Sequence, residues 1–231
     1  MNLSEIRKVL LFVAHHDDET IGAGATIKKL TTAGVKVQVV FATDGSTGVD
    51  HTKDFENKIV STRISESKKV AKMLGIKRTH NWGEKCQELK YSSRLLHEAI
   101  KIIRRERPDL IITHTLEEKH IDHQELSKIV TQAAWKSSED ILPNLGPPFR
   151  VNHVWGFEVV DVLSKVDFTV DVSRHFQYKI AAMNVYESQH NVVSGINRFM
   201  EGLAKVRGFD IGKKFGESFV NISIQTPEVL R

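Results

Sequence analysis

The sequence contains two clusters of histidine and aspartate, side chains of the kinds that bind zinc. The first is Ala-His-His-Asp-Asp-Glu at positions 14–19. His15 and Asp18 are three residues apart, so a tight turn or a first helical turn can direct both at one ion, and zinc accepts imidazole nitrogen and carboxylate oxygen. Asp17 lies between them, where a carboxylate can take a proton from a water whose pKa the metal lowers to about 7. We predict two metal ligands, His15 and Asp18, and a general base, Asp17.

The second cluster, His-Ile-Asp-His at positions 120–123, offers a third ligand and two supporting groups. With His123 the site has three protein ligands and an open fourth position, which distinguishes catalytic from structural zinc. Asp122 can orient a histidine through its second ring nitrogen, as outer carboxylates do at metal sites. His120, if protonated, can stabilise the oxyanion that develops when an acyl group is attacked. His120 and Asp122 are therefore predicted to be catalytic alongside Asp17.

Both clusters follow strands of a predicted parallel sheet. The first half of the chain alternates short β-branched apolar segments with longer segments of helical period, the pattern of βαβ units. Predicted strands cover 8–13, 36–42, 78–82 and 109–113, and predicted helices cover 22–33, 59–74 and 92–107. We expect an α/β, Rossmann-like fold with a mostly parallel sheet and helices on both faces. The clusters follow the first and fourth strands, so both reach the edge where ligands bind in such sheets.

The C-terminal part of the chain adds smaller β/α elements. A helix is predicted from about 122 to 135, and Asn-Leu-Gly-Pro-Pro at 144–148 then interrupts the pattern. Beyond it, strands are predicted at 153–160, 168–172 and 219–224, and helices at 176–186 and 196–205. We predict one domain over 1–231, in which 1–138 form the α/β core and 139–231 complete the sheet and the pocket.

The composition argues against several classes of protein. No apolar stretch approaches the length of a membrane span, and the apolar run at 9–14 is too short for a signal peptide, so we expect no membrane span and a cytoplasmic location. Cys86 is the only cysteine, which excludes an internal disulfide and a cysteine-rich zinc site. The net charge of +4 is spread among acids without a basic block, so no nucleic-acid partner is expected. Self-association into a homo-oligomer stays open.

Together the two clusters resemble the motifs of the LmbE-like/PIG-L family of zinc-dependent de-N-acetylases. That family's signature is Ala-His-Pro-Asp-Asp-Glu, followed far downstream by His-x-x-Asp-His, which stands here in the tighter spacing His-x-Asp-His. The resemblance implies Zn²⁺ on His15, Asp18 and His123, with Asp17 as general base and His120 as electrostatic partner. It also implies removal of an N-acetyl group from N-acetylglucosamine joined to inositol, phosphatidylinositol, malate, another sugar or an antibiotic core.

The similarity runs from about residue 8 to residue 190 and includes further polar residues. It extends to Thr43 and Asp44 after the second strand and to Arg63 on the second helix, and these three are predicted to bind the substrate. His16 occupies the position of the family's proline, where it loosens the turn and adds a competing imidazole. We expect His16 to point away from the metal. Among the tryptophans, only Trp155 is a candidate sugar platform, because it lies in the segment expected to form the pocket.

Several of these assignments have a purely structural alternative. Asp122 could cap the N-terminus of a helix. Arg63 could form an exposed ion pair with Glu66 one helical turn away. Thr43 and Asp44 could serve only to shape the turn after the second strand. His114 ends a strand beside the site but has no partner at ligand spacing, so we expect it to be structural.

Four other functions are compatible with parts of the same pattern. A dinucleotide-binding fold is indicated by the glycines at 22 and 24 before a helix, but the acids at 17–19 would repel a pyrophosphate there. A magnesium-dependent phosphohydrolase would use Asp17, Asp18 and Asp122, but two histidines among the ligands favour zinc. The third is a non-catalytic sugar-binding protein of the same fold. A metal-dependent hydrolase of another amide or phosphoester is the alternative closest to the resemblance.

Overall fold

A seven-stranded sheet lies at the centre of the computed structural model, which describes residues 5–46, 53–190 and 192–224 and the side chains of all of these except 53–57. The strands are β1 (Lys8–Val13), β2 (Lys36–Thr43), β3 (Arg78–Glu84), β4 (Leu110–His114), β5 (His153–Phe157), β6 (Phe168–Asp171) and β7 (Gly216–Asn221). Their order is β3-β2-β1-β4-β5-β7-β6; the first five are parallel, and β7 is antiparallel to β5 and β6. The predicted α/β fold with a mostly parallel sheet is confirmed.

Helices cover both faces of this sheet. They are α1 (Asp18–Thr32), α2 (Lys53–Leu74), α3 (Ser93–Glu106), α4 (Ile121–Lys136), α5 (Phe176–Val185) and α6 (Ile196–Phe209). Successive residues of a strand point to opposite faces. Val9, Leu11 and Val13 of β1 therefore belong to the apolar core with α1 and α5, whereas Leu10 and Phe12 belong to the core with α3 and α4. A strand covered on both faces is apolar throughout, which is why β1 is so easily predicted.

Helix α1 begins at Asp18, four residues before its predicted start, because it contains a kink. Ala23 has φ −141° and ψ 16°, which divides α1 into two pieces. After the kink, the carboxylate of Glu217 in β7 accepts hydrogen bonds from the N–H of Ala25 (3.1 Å) and of Thr26 (2.7 Å). A side-chain acceptor in this position caps a helix start. The glycines at 22 and 24 therefore mark a kink within the helix, and the first piece carries Asp18 into the candidate site.

Strand β5 ends at Phe157, three residues before its predicted end, because the following backbone groups bond to a side chain. The N–H groups of Val159 and Val160 donate to the carboxylate of Glu118, at 2.9 and 3.0 Å. This carboxylate comes from the loop between β4 and α4. The segment after β5 is thereby fixed against the loop that precedes the second motif.

Trp155 of β5 lies in the apolar core, so it does not serve as the sugar platform for which it was a candidate. Its side chain is buried, and its ring centroid is 4.5 Å from that of Phe168 and 5.3 Å from that of Phe219. The ring packs between neighbouring strands on the covered face of the sheet, so a ligand at the strand ends does not reach it.

The remaining differences concern the ends of elements. Helix α2 begins six residues before its predicted start, in a polar turn where no apolar period announces it. Helix α6 continues to Phe209 beyond the predicted end at 205, and β7 begins at Gly216, where 219 was predicted. Within the described ranges no helix is both long and apolar enough to cross a membrane.

Candidate active site

The turn between β1 and α1 separates the side chains of the first motif. The N–H of His15 donates to Oδ2 of Asp18 (2.7 Å), and the carbonyl of Asp17 accepts from the N–H groups of Thr20 and Ile21, both at 2.9 Å. Asp17 has φ 140° and ψ −25°, in a region that residues with a Cβ rarely adopt. The strained residue is thus the predicted base, and the predicted ligands flank it.

His15, Asp18 and His123 bring one donor atom each to a common point. Nδ1 of His15 lies 3.2 Å from Nε2 of His123 and 3.3 Å from Oδ2 of Asp18, and the latter two atoms are 3.4 Å apart. In a tetrahedral zinc site with bonds of about 2.0–2.1 Å, two ligand atoms are about 3.3 Å apart. The three predicted ligands therefore fit three corners of such a site.

Two buried carboxylates hold the second ring nitrogens of these histidines. Oδ2 of Asp122 lies 3.0 Å from Nε2 of His15, and Oε2 of Glu118 lies 3.2 Å from Nδ1 of His123. Outer carboxylates orient histidine ligands in this way at zinc sites. Asp122, predicted to be catalytic, is fully buried behind His15 and also accepts two backbone N–H groups from the loop after β3, so it positions His15. Glu118 was missed, because a glutamate in a charged loop carries no distinctive signal.

The charges in this cluster are organised around Asp18. Burial alone would raise the pKa of Asp18, but His123 and His15 outweigh it and hold that pKa well below its usual range. Burial would lower the pKa of His123, but Asp18 and Glu118 raise it to about 9. The cluster therefore favours positive charge around one buried carboxylate, and a divalent cation supplies such charge when it displaces the protons.

Asp17 faces Arg63, which α2 contributes to the site. Oδ1 of Asp17 is 3.4 Å from Nη2 of Arg63, and that nitrogen also donates to the carbonyl of His16 at 2.7 Å. Nη1 of Arg63 donates to the carbonyl of Gly45 at 3.3 Å. Burial raises the pKa of Asp17 to about 6, although Arg63 opposes the shift. A carboxyl group with a pKa close to neutrality can both take and return a proton.

His120 caps the N-terminus of α4 and lies beside the ligand cluster. Its Nδ1 accepts from the N–H of Asp122 at 3.2 Å, and its ring centroid is 4.6 Å from that of His15 and 4.7 Å from that of His123. Burial, together with the charges of His15 and His123, lowers the pKa of His120. The structure thus favours a neutral His120, in place of the protonated form considered from the sequence. Its remaining proton lies on Nε2, which can donate a hydrogen bond.

His114, expected to be structural, lies against the same carboxylate. Its Nε2 is 3.4 Å from Oδ2 of Asp18 and accepts from the N–H of Ala14 at 3.0 Å, and its ring stacks on His123. Burial and the charge of His123 lower the pKa of His114 to about 4. A neutral His114 whose Nε2 accepts a backbone N–H packs behind Asp18 and His123 and supports the site there. Its side chain does not line the cavity.

His16 turns away from the ligand cluster, as expected. Its ring stacks on Phe41 with 4.3 Å between centroids, and its Nε2 lies 3.2 Å from Oδ1 of Asn81. The imidazole that stands in place of the family's proline therefore packs against β2 and β3.

Thr43 and Asp44 both bond to backbone groups near the strand ends, and Asp44 does so within the turn after β2. The hydroxyl of Thr43 donates to the carbonyl of Ala14 at 2.8 Å, and Oδ1 of Asp44 accepts from the N–H of Ser46 at 2.9 Å. Neither side chain lines the cavity, so of the three predicted substrate-binding residues only Arg63 does. Glu66 does not form the ion pair with Arg63 that was considered as the structural alternative. Its carboxylate instead accepts a hydrogen bond from the hydroxyl of Ser188 at 2.6 Å.

A cavity of about 660 Å³ opens over this cluster and is large enough for a disaccharide-sized ligand. His15, Asp17, Asp18, Arg63, His120 and His123 form its polar part. Its apolar wall comes from segments distant in sequence, with Val159, Val160, Val192, Val193, Ile196 and Phe199. The lining also includes Ile21, Cys86, Gln87, Gln189, Ser194 and Gly195. No individual residue of this wall was predicted, although the segment 139–231 was expected to complete the pocket, because isolated valines in loops resemble any other apolar residue.

Both motifs fall within the part of the chain that matches a known family. Residues 10–134 match the family model described as "PIG-L: GlcNAc-PI de-N-acetylase". Diacetylchitobiose deacetylase of Thermococcus kodakarensis is 30% identical over 196 residues, which cover 80% of this chain and 71% of the relative. A probable N-acetyl-α-D-glucosaminyl L-malate deacetylase of Bacillus cereus is 30% identical over 189 residues, which cover 79% of this chain and 84% of the relative.

The fold is similar to a solved structure over almost its whole length. The N,N′-diacetylchitobiose deacetylase of Pyrococcus horikoshii, in complex with its inhibitor MPG, matches with a TM-score of 0.85 and 27% identity. The match covers 95% of this chain and 85% of that chain. The C-terminal elements, outside the matched family region, are thus also part of the shared fold.

Proposed function

This chain belongs to the PIG-L family of de-N-acetylases, and we propose that it is a zinc-dependent hydrolase that removes the acetyl group from an N-acetylglucosamine-containing small molecule. The observation that supports zinc most strongly is the triangle of donor atoms from His15, Asp18 and His123, with edges of 3.2–3.4 Å. Two imidazoles and one carboxylate are a donor set that suits zinc, and outer carboxylates hold both imidazoles.

Asp17 is the residue proposed to move the proton. The chemistry that zinc supplies when bound is polarisation of the acetamide carbonyl and a lowered pKa for water. Asp17 accepts the proton of the attacking water and then delivers it to the amine nitrogen as the C–N bond breaks, so acetate and a free amine leave. Arg63, 3.4 Å away, holds the carboxylate of Asp17 in place during both transfers.

His120 is proposed to stabilise the carbonyl oxygen as negative charge develops on it. Its Nδ1 already accepts a backbone N–H, so Nε2 carries the proton and can donate to that oxygen without the ring being charged. His120 lines the cavity beside His15 and His123. Asp122 and Glu118 act through His15 and His123 and do not reach the substrate.

The proposed substrate is a soluble amino sugar of about disaccharide size. A volume of about 660 Å³ admits two sugar rings, and relatives named for diacetylchitobiose are similar to this chain in sequence and in fold. N,N′-diacetylchitobiose is therefore the first candidate. The malate glycoside in the name of the Bacillus cereus relative is the second.

Acetate release tests the reaction and the substrate together. We expect the purified protein to release acetate from N,N′-diacetylchitobiose. N-acetylglucosaminyl malate, N-acetylglucosaminyl inositol and free N-acetylglucosamine are assayed in parallel as alternative substrates. Removing the metal with a chelator should abolish release, and zinc should restore it. Tight binding of these sugars without acetate release would identify a non-catalytic sugar-binding protein, and release of phosphate from phosphoesters instead would identify a phosphohydrolase.

Elemental analysis tests the metal independently of turnover. We expect about one zinc per chain in the wild type and a loss of zinc in Asp18→Asn, because that change removes the carboxylate that both histidines contact. Asp140→Asn is the matched control, since Asp140 is exposed in the loop after α4 and should leave the zinc content unchanged. A wild type that neither contains nor takes up a stoichiometric transition metal would overturn the zinc proposal.

A further inference from the structure

The backbone of Asp17 is held in its unusual conformation from outside its own turn. Its φ of 140° is unfavourable for a residue with a Cβ, and such a conformation persists only where the surroundings fix it. Asp17 is also the N-cap of α1, but its side chain makes no capping hydrogen bond. The side chain that would normally stabilise the helix start is instead directed toward Arg63 and the cavity.

Glu19 supplies the contact that this backbone lacks. Oε2 of Glu19 accepts from the N–H of Asp17 at 3.2 Å, while Oε1 accepts from the hydroxyls of Thr20 (2.9 Å) and Tyr186 (2.7 Å). Glu19 has no exposed surface, and it does not line the cavity. A carboxylate buried at this depth and bonded to three donors has one fixed orientation.

Tyr186 connects this carboxylate to a distant part of the chain. It is the residue that ends α5, it is fully buried, and it lies 167 positions beyond Glu19 in the sequence. Helix α5 packs against α1, so the hydroxyl of Tyr186 joins the two helices at the level of the motif. This bond links the segment after α5 directly to the first motif.

We propose that Glu19 and Tyr186 are positioning residues: together they hold the backbone of Asp17 so that its carboxylate is free of the helix cap and faces the reacting water. This inference depends on the proposed function, in which Asp17 transfers the proton. A merely structural role would require only that a buried acid be satisfied. The proposal requires in addition that loosening the pair reduce turnover through Asp17 and through no other group.

Tyr186→Phe is the direct test, because it removes one hydroxyl and leaves the ring in the core. We expect kcat to fall about 10- to 100-fold, since a small displacement of a catalytic group has effects of this size. KM and zinc content should change less than about twofold, because Arg63 and the three ligands keep their places. Tyr178→Phe is the matched control: Tyr178 lies on the same helix with a partly exposed ring, and kcat should not change.

A double-mutant cycle separates positioning from general loosening of the fold. If Tyr186 acts through Asp17, Tyr186→Phe should reduce kcat in the wild type and have no further effect in the Asp17→Asn background. The same fractional loss in both backgrounds, or no loss in the wild type, would overturn the inference. An Asp17→Asn variant with unchanged kcat would instead overturn the proposed function, so the two failures are distinguishable.

Substitutions of Glu19 provide a test that does not depend on the tyrosine. In Glu19→Gln the amide oxygen can still accept the N–H of Asp17 and the amide nitrogen can donate to Tyr186, so we expect most of kcat to be retained. Glu19→Leu has similar volume and no acceptor, and kcat should fall as in Tyr186→Phe. Equal kcat values for the Gln and Leu variants, with zinc content unchanged, would exclude the positioning role.

Discussion

Two arginines of this protein are buried to the same degree and differ in what they bind. Arg63 and Arg104 are 3% and 2% exposed, respectively. Arg104 of α3 donates six hydrogen bonds to backbone carbonyls of the segment after α4, from residues 136, 137, 139, 141, 142 and 146. Arg63 donates to two carbonyls and faces the carboxylate of Asp17, while its Nε has no hydrogen-bond partner among the residues described.

The difference separates the structural use of a buried charge at Arg104 from the functional use that we propose for Arg63. A guanidinium whose nitrogens are all bonded to fixed carbonyls rigidifies the loop it touches and has no donor left for a ligand. Arg63 has spare donor capacity, a titratable partner and a place in the cavity wall. Burial alone therefore does not distinguish these two arginines, and the completeness of their hydrogen bonding does.

The largest effect on stability should come from Arg104→Met. The change leaves six carbonyls without their donor, and we expect the free energy of unfolding to fall by about 3–4 kcal/mol, measured by urea denaturation. The kcat of the folded protein should be unchanged, because the loop lies away from the cavity. Arg105→Met is the control: this exposed neighbour pairs only with Glu106 in the contacts described, and its loss should cost less than about 0.5 kcal/mol. Equal losses from both changes would contradict the structural role of Arg104.

The same substitution at the other arginine should have the opposite profile. In Arg63→Met, kcat/KM should fall about 10- to 100-fold, because the carboxylate of Asp17 loses the group that holds it. The loss of unfolding free energy should be smaller than for Arg104→Met, about 1–2 kcal/mol, since fewer backbone carbonyls lose a donor. Kinetic assays and urea denaturation of Arg63→Met and Arg104→Met, run side by side, check these opposite effects on kcat/KM and on unfolding free energy. If Arg63→Met were as destabilising as Arg104→Met and left kcat/KM intact, the distinction would be wrong.

Much of the fold and the centre of the site could be predicted because local signals and sheet geometry agree. Strands covered on both faces are apolar throughout, and the carboxyl ends of parallel strands meet at one edge. That rule brings together His15 and His123, which are more than a hundred residues apart in sequence and 3.2 Å apart at their ring nitrogens. Local turn residues likewise predicted the interruption near 144–148, which in the structure belongs to the loop that Arg104 holds.

The parts that could not be predicted depend on pairings between distant loops. Glu118 binds His123 and the backbone after β5, yet in sequence it is one acid in a charged loop. Tyr186 reaches Glu19 only because α5 packs on α1. The kink in α1 depends on Glu217, near the end of the described chain, which caps its second piece. No periodicity within a segment reports such partners, because they are set by tertiary packing.

His16 offers the smallest and most specific test of the comparison between structural and functional buried groups. It is a buried polar residue inside the first motif, and its contacts are structural. Its ring stacks on Phe41 and contacts Asn81, and neither contact leads to the proposed metal ligands. Restoring the family's proline in His16→Pro should therefore keep the zinc and leave kcat within about threefold of the wild type. The loss of stacking and of one hydrogen bond should cost about 1 kcal/mol, partly offset by the stiffer unfolded chain.

Asn81→Ala is the control for this last change, since it removes only the hydrogen-bond partner of His16. It should cost about 0.5–1 kcal/mol in urea denaturation, and it should likewise leave the zinc content unchanged. Zinc loss in His16→Pro, with zinc retained in Asn81→Ala, would show that the imidazole takes part in coordination. His16 would then belong with Arg63 among the buried groups that serve the reaction, and its Nδ1, which has no hydrogen-bond partner among the residues described, would agree with the pattern seen at Arg63.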